Sequence, residues 1–381
     1  MIKSLKKIFV LILSVAFTFT LFSCSLVGLK NICSLSGHQW SEGVIVTRAT
    51  KDKYGVKIFT CTICNEQKYE VLPMVKVADA KIYEVDGVKY VNYGSYPQTH
   101  VGDEMLIAEL NKLTETNDRG YYEFNGKEYA KVETSPCNYG TISSNDSEGN
   151  VYYITFVYSD GMIVLNNVTE WFVVEPIKWR IISQNTDESY QLYSEYILDT
   201  TIYFDGSYLR NIDGVEVYRN NYKYSNIRAW LNGYNGTDYS VNDYTNIGFY
   251  DLAFKESEKE TIIENEIDNS ISTLDYPTNP YECENTFDKI YLLSYQDLKN
   301  SNYGFTDDLS RCVKVTDYAK AVGVYWETME QYLDYDSYWL RSPASLDGNK
   351  AYFVQVDGDI LNYYVKNKYY GVRVACNIYL D

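Results

Sequence analysis

Histidine is almost missing from this chain, with 2 residues among 381. That excludes a centre built on three imidazoles and leaves little room for Ser/His/Asp chemistry. Positive charge is also short. Lys and Arg number 34 against 52 Asp and Glu, a formal net charge of −18. Phosphate neutralisation needs a basic face, so no nucleic-acid partner is expected. The chain has no Walker loop, no GxGxxG behind a strand and no HExxH. Repeats at solenoid periods are absent too. Composition is globular, 45% hydrophobic and 23% charged, which excludes disorder, collagen and coiled coil. Length allows one large domain or two to three ordinary ones.

What is present starts with an export pattern. Lys3, Lys6 and Lys7 precede an uncharged apolar run from Ile8 to Leu21, short for a membrane span but right for a secretory signal. The run ends in Leu21-Phe22-Ser23-Cys24, which resembles a bacterial lipobox. The expectation is a signal peptide over 1–23, lipidation of Cys24 and an extracytoplasmic protein held on the membrane by its acyl chains. A signal peptide cut near Ser23, with Cys24 incidental, is the alternative.

Cys33, His38, Cys61 and Cys64 follow within residues 24–74. Three thiols and an imidazole suit a closed tetrahedral zinc site, and a CxxC turn presents two sulfurs to one ion. The β-prone stretches Val44-Ile45-Val46-Thr47 and Val56-Lys57-Ile58-Phe59-Thr60 lie between the ligand pairs. Two strands, each carrying one pair, make a zinc-ribbon-like β module. A segment this small needs a metal or a disulfide to stay folded. Disulfide pairing is the competing reading in an oxidising compartment, although three thiols leave one over. The pattern Cys33, His38-Gln39-Trp40, Cys61-Thr62-Ile63-Cys64 and Val71-Leu72-Pro73 resembles a short module of exported bacterial proteins. That resemblance implies a spacer without catalysis. The other cysteines, Cys137, Cys283, Cys312 and Cys376, read equally as two disulfides or as free buried thiols.

From residue 80 to 381 the pattern is α+β: one large mixed domain of antiparallel sheets with a few short helices. Asp86-Gly87, Asn125-Gly126, Asp160-Gly161, Asp213-Gly214 and Asp357-Gly358 stand between β-prone runs, where Asx-Gly supplies the positive φ of a type I′ hairpin. Ser225 can cap a helix that Gly233 ends, and Thr316 one that Gly323 ends. Ser257/Glu260 and Ser294/Asp297 have capping-box spacing. The polar stretch 265–284 reads as a surface loop, and the segment 74–80 as the domain boundary.

Several strings occur in a fixed order: Tyr93-Gly-Ser-Tyr-Pro-Gln-Thr99, Glu175-Pro-Ile-Lys-Trp-Arg180, Ser225-Asn-Ile-Arg-Ala-Trp-Leu-Asn232, Trp339-Leu-Arg-Ser-Pro343 and Gly371-Val-Arg-Val-Ala375. Together they resemble an uncharacterised domain family of bacterial surface lipoproteins. The closing pair is similar to the C-terminal core of the formylglycine-generating-enzyme branch of the C-type-lectin-like fold. That resemblance implies a lectin-like core with Tyr83 to Val91 near the C-terminal strands. It does not bring the branch's chemistry. Only Cys376 lies near the closing motif, with Cys312 next, and His100 is the one histidine of the body, so neither the copper thiol pair nor the three-histidine iron site is matched. Glu175-Pro176 continues as Ile-Lys-Trp, so the lectin calcium motif is not evident.

Trp179, Arg180, Trp230, Trp339, Arg341 and Arg373 are read as core structure, the arginines paired with carboxylates or loop carbonyls. The competing reading of Arg341 and Arg373 is an anion-binding pair. Tyrosine reaches 41 residues. Clusters at Tyr222/Tyr224, Tyr332/Tyr335/Tyr338, Tyr363/Tyr364 and Tyr369/Tyr370 suit an adaptable glycan- or protein-binding surface, while an AT-rich genome would also raise the count. The leading expectation is a non-catalytic ligand-binding surface lipoprotein. The alternative is an exported enzyme, either a thiol oxidoreductase or a carboxylate-based glycoside hydrolase.

Overall fold

The computed structural model describes residues 33, 37–145, 148–206, 209–212, 214–235 and 242–381. Cys24, the export signal and Asp213 lie outside the described residues. Strand outweighs helix throughout. The chain divides into two compact units, Met1–Met74 and Val75–Asp381. Among the described residues, no helix is long and apolar enough to cross a membrane.

The first unit is an antiparallel sheet of three strands, Val44–Thr47, Gly55–Thr60 and Gln67–Leu72, in chain order. The sequence reading had two strands. Gln67–Leu72 was missed because its residues are almost all exposed, so it carries no buried stripe. It forms because the Cys61–Cys64 turn folds it back on Gly55–Thr60, with Thr60 opposite Gln67.

In the second unit a nine-stranded sheet is organised around the long strand Thr169–Gln184. This strand pairs with Val88–His100, Lys127–Glu133 and Tyr190–Ser194, antiparallel in each case. Its partner Tyr190–Ser194 continues to the C-terminal strand Ala375–Leu380. The strand beside that terminus is Val77–Ala78, paired parallel to it. Tyr83–Val91 is in the same sheet but beyond Thr169–Gln184, which corrects the expected neighbourhood. Val77–Ala78 is too short to announce itself as a strand, so its place was not legible. A second sheet of five strands holds Tyr338–Pro343, Lys350–Val354 and Ile360–Tyr364, with Gly371–Val372 parallel to the first of these.

The Asx-Gly turns divide into two types. At Asp86-Gly87 and Asn125-Gly126 both residues have positive φ, as type I′ demands. At Asp160-Gly161 and Asp357-Gly358 only the glycine does. There the aspartate carboxylate accepts the N–H two residues on, from Met162 and Asp359. That bond holds the aspartate in an ordinary turn conformation and leaves the glycine alone in the left-handed region.

Ser225 and Thr316 cap the helices Asn226–Asn232 and Asp317–Val322. Ser294 and Asp297 exchange side-chain bonds to each other's N–H across the start of a 3₁₀ turn. The expected Ser257/Glu260 box does not form. Glu258 takes the N–H of Lys255 instead, and the helix is one turn, Glu256–Lys259. Ile262 and Ile263 leave it to pair with Ile378 and Asn377 of the C-terminal strand, which suits β-branched residues better. The stretch 265–284 is not wholly a surface loop: Asn265–Ile267 pairs with Thr286–Asp288, and Asn269, Leu274 and Asn279 are buried.

Candidate metal centre

The sheet of the first unit has almost no apolar core. Val44, Val46, Tyr69 and Val71 are all exposed, and its buried cluster is Cys33, Cys61 and Cys64, packed by Trp40 and Ile63, with only the small residues Gly43, Ala49 and Gly55 buried besides among its described residues. The unit is therefore organised around thiols. Cys61 follows the strand Gly55–Thr60, and its carbonyl accepts the N–H of Asn65 at 2.9 Å while its own N–H donates to the Glu66 carbonyl at 2.7 Å. Asn65 takes φ 59° to close this turn, which Asn tolerates. The His38-Gln39-Trp40 segment is tied to the turn by Thr62 N–H to the Gln39 carbonyl, 2.8 Å, and by a bridge between Trp40 and Cys61.

These constraints bring the ligand atoms of Cys33, His38, Cys61 and Cys64 within 4.8 Å of one another. Cys33 Sγ lies 3.7 Å from Cys61 Sγ, and Cys64 Sγ lies 3.4 Å from His38 Nδ1. A tetrahedral ion with Zn–S bonds of about 2.3 Å sets its sulfurs about 3.75 Å apart. All seven described cysteines are free thiols, these three included. Burial raises the Cys61 thiol, but the N–H groups of Cys64 and Ile63 and the His38 ring outweigh it and bring it down to about 6. Burial, with the neighbouring Cys64 and Cys61, pushes Cys33 up to about 12. The cluster thus shares protons that a cation would displace. The donor set and spacing are compatible with zinc.

In the second unit the motif residues are used for packing. Trp179 and Trp339 are fully buried and Trp230 nearly so. Trp179 donates its indole N–H to the Tyr93 carbonyl at 2.7 Å. Arg180 pairs with Glu195 at 3.2 Å. Arg341 bonds Asp297 and the Leu292 carbonyl, both at 2.8 Å. Arg373 donates to the Ser194 carbonyl at 2.8 Å and lies over the Tyr193 ring at 4.1 Å. Arg228 pairs with the buried Asp288, and Asn232 clamps Ile290 through both its N–H and its carbonyl. Of these bonds, only Trp179–Tyr93 joins two of the strings; the other partners lie outside them, and Trp339 Nε1 and Arg341 Nε are buried without a hydrogen-bond partner.

The candidate tyrosine surface is corrected at Tyr222 and Tyr338, both wholly buried in the core: Tyr222 precedes the helix cap and faces inward, and Tyr338 opens the buried strand Tyr338–Pro343 and donates its hydroxyl to the Arg311 carbonyl at 2.9 Å. Tyr224, Tyr332 and Tyr335 are half-buried. Rings do gather at the C-terminal hairpin. Tyr363 and Tyr364, both exposed, have centroids 5.7 Å apart, and Tyr363 stands 5.7 Å from Tyr370. Tyr370 stacks on Phe353 at 4.2 Å.

Two features had no sequence signal beyond the scarcity of their residue type or the turn between them. His100 is buried with Nδ1 2.8 Å from Asp160 and its ring stacked on Tyr158 at 4.3 Å. Tyr158 in turn donates to Glu170, whose carboxyl burial holds above its ordinary value. The other is an open groove of about 740 Å³ lined by Tyr93, Ser95, Glu123, Lys127, Glu128 and Glu175, among others. Glu123 and Glu128 accept from the same Asn117 amide, at 3.4 and 2.7 Å, so these oxygens are at most about 6 Å apart.

A family model described as a domain of unknown function (DUF6273) matches residues 187–380. No curated protein and no solved structure matches the chain.

Proposed function

The chain belongs to the DUF6273 family of domains of unknown function, and we propose that it is an exported, non-catalytic binding protein for glycans. In this reading Cys24 carries the lipid anchor, zinc holds the first unit as a spacer, and the body has a C-type-lectin-like core. The pairing of Val77–Ala78 with Ala375–Leu380 supports that core, since it joins the two ends of the body in one sheet. The observation that carries the binding role is the group of tyrosine rings at the hairpin of Lys350–Val354 and Ile360–Tyr364. Such rings offer large amphipathic area at low entropic cost. The thiol-oxidase alternative is weakened by Cys376, which is fully buried and raised by that burial, and by Cys312, which is also raised. A reactive thiol needs the opposite.

One observation favours a second reading. Glu123 and Glu128 line a groove with carboxylate oxygens no more than about 6 Å apart, a bound that admits the spacing of paired glycosidase carboxylates, and Glu128 is also paired with Arg119. The test covers both readings. The mature chain, with Cys24→Ala to keep it soluble, is applied to a panel of polysaccharides. Retention on a neutral glycan that Tyr363→Ser with Tyr370→Ser reduces at least tenfold supports the binding role. Retention that this variant leaves unchanged, or no retention on any glycan, contradicts it. Release of reducing ends that Glu128→Gln abolishes transfers the function to the groove.

A further inference from the structure

We propose that Glu66 is a positioning residue for the metal centre, holding the His38 ring so that Nδ1, and not Nε2, binds the cation. This rests on the zinc reading of Cys33, His38, Cys61 and Cys64. The ring orientation is defined on three sides. Nδ1 faces the cluster, 3.4 Å from Cys64 Sγ. Nε2 faces away from it, toward Glu66 Oε2 at 4.0 Å. The flat of the ring is stacked on Trp40, with centroids 4.9 Å apart and 26° between planes. Trp40 is itself covered by the Lys68 ammonium at 4.9 Å.

Glu66 is not an incidental surface carboxylate here. Its carbonyl receives the Cys61 N–H at 2.7 Å, so its backbone is fixed to the turn that presents two of the sulfurs. Only the side-chain torsions separate its carboxylate from Nε2, and a small rotation or one bridging water closes the remaining distance. An imidazole that gives Nδ1 to a metal must carry its proton on Nε2. A carboxylate facing Nε2 favours that tautomer and fixes the ring. His-x-Trp spacing adds the stacking partner, and Glu66, two residues after Cys64, supplies the acceptor.

The test is competitive titration of the reduced mature chain with Zn²⁺ against a chelator, alongside long-range ¹H–¹⁵N spectra of His38. The wild-type chain should show a protonated Nε2 and a metal-bound Nδ1. Glu66→Ala should weaken Zn²⁺ affinity about 10- to 100-fold, and Glu66→Gln, which keeps an acceptor oxygen, should recover much of it. Glu66 is exposed, so neither variant should disturb folding of the sheet. Affinity of Glu66→Ala within twofold of wild type, or a metal-bound Nε2, overturns the inference while leaving the centre intact. A wild-type chain that takes up no Zn²⁺ overturns the centre itself.

Discussion

At the scale of single residues, the body contains carboxyl groups that folding makes weaker acids. Asp199 is buried where it accepts the Tyr96 hydroxyl and the Thr200 N–H, with the Tyr121 and Tyr318 rings also nearby. Burial raises it from 3.8 to about 7, against those two bonds. The folded state therefore binds this proton more tightly than the unfolded chain does between those two values. Stability falls as pH rises through that window and is flat above it, by an amount of order 4 kcal/mol. Asp288 and Asp336, also raised by burial, act in the same direction. Asp199→Asn should make urea unfolding visibly less dependent on pH between 4 and 7 and stabilise the protein at pH 8. An unchanged pH slope in the variant would remove Asp199 from the account. None of this was legible in the sequence, because Asp199 meets Tyr96 across 103 positions. The Cys/His cluster was legible, because the donor types are chemically restrictive and three of the four residues lie in two short motifs.

At the scale of elements, glycines with similar φ have different importance. Gly87 and Gly358 take φ 80° and 89°. A Cβ on Gly87 would meet nothing within 4 Å, whereas one on Gly358 would fall 1.7 Å from the Asp308 carbonyl oxygen. The Gly358 carbonyl also receives Arg311 Nε at 2.7 Å, which fixes the hairpin against that segment. Gly87→Ala should cost about 1 kcal/mol, the conformational strain alone. Gly358→Ala should cost about 3 kcal/mol, because backbone must move as well. Denaturant midpoints at unchanged slope measure both, and equal costs would contradict the close approach. The Asx-Gly signal located these turns because it is local. It did not separate the two turn types, which differ in whether the aspartate carboxylate is free to take a nearby N–H. Ile262 and Ile263 show the same limit: their neighbours suggested a helix, and a strand more than a hundred residues away decided the outcome.

At the scale of the whole molecule, the first unit is organised by its Cys/His cluster and the body by its own apolar core. The body buries Trp179, Trp339, Arg228, Arg341 and Arg373 without any metal-ligand cluster among its described residues. The first unit buries little besides its thiols. That contrast was partly readable, since a small cysteine-rich segment precedes a long hydrophobic one. The order of the large sheet was not, since it depends on pairings between distant segments, such as Tyr190–Ser194 with Ala375–Leu380. The central claim is that metal holds the first unit and the body does not need it. Peptide-resolved hydrogen–deuterium exchange on the reduced mature chain, with and without a strong zinc chelator, tests it most directly. Peptides within 37–72 should lose protection on chelation while peptides from 75 to 381 keep theirs. Unchanged protection across 37–72, or loss of protection through the body, would contradict the account.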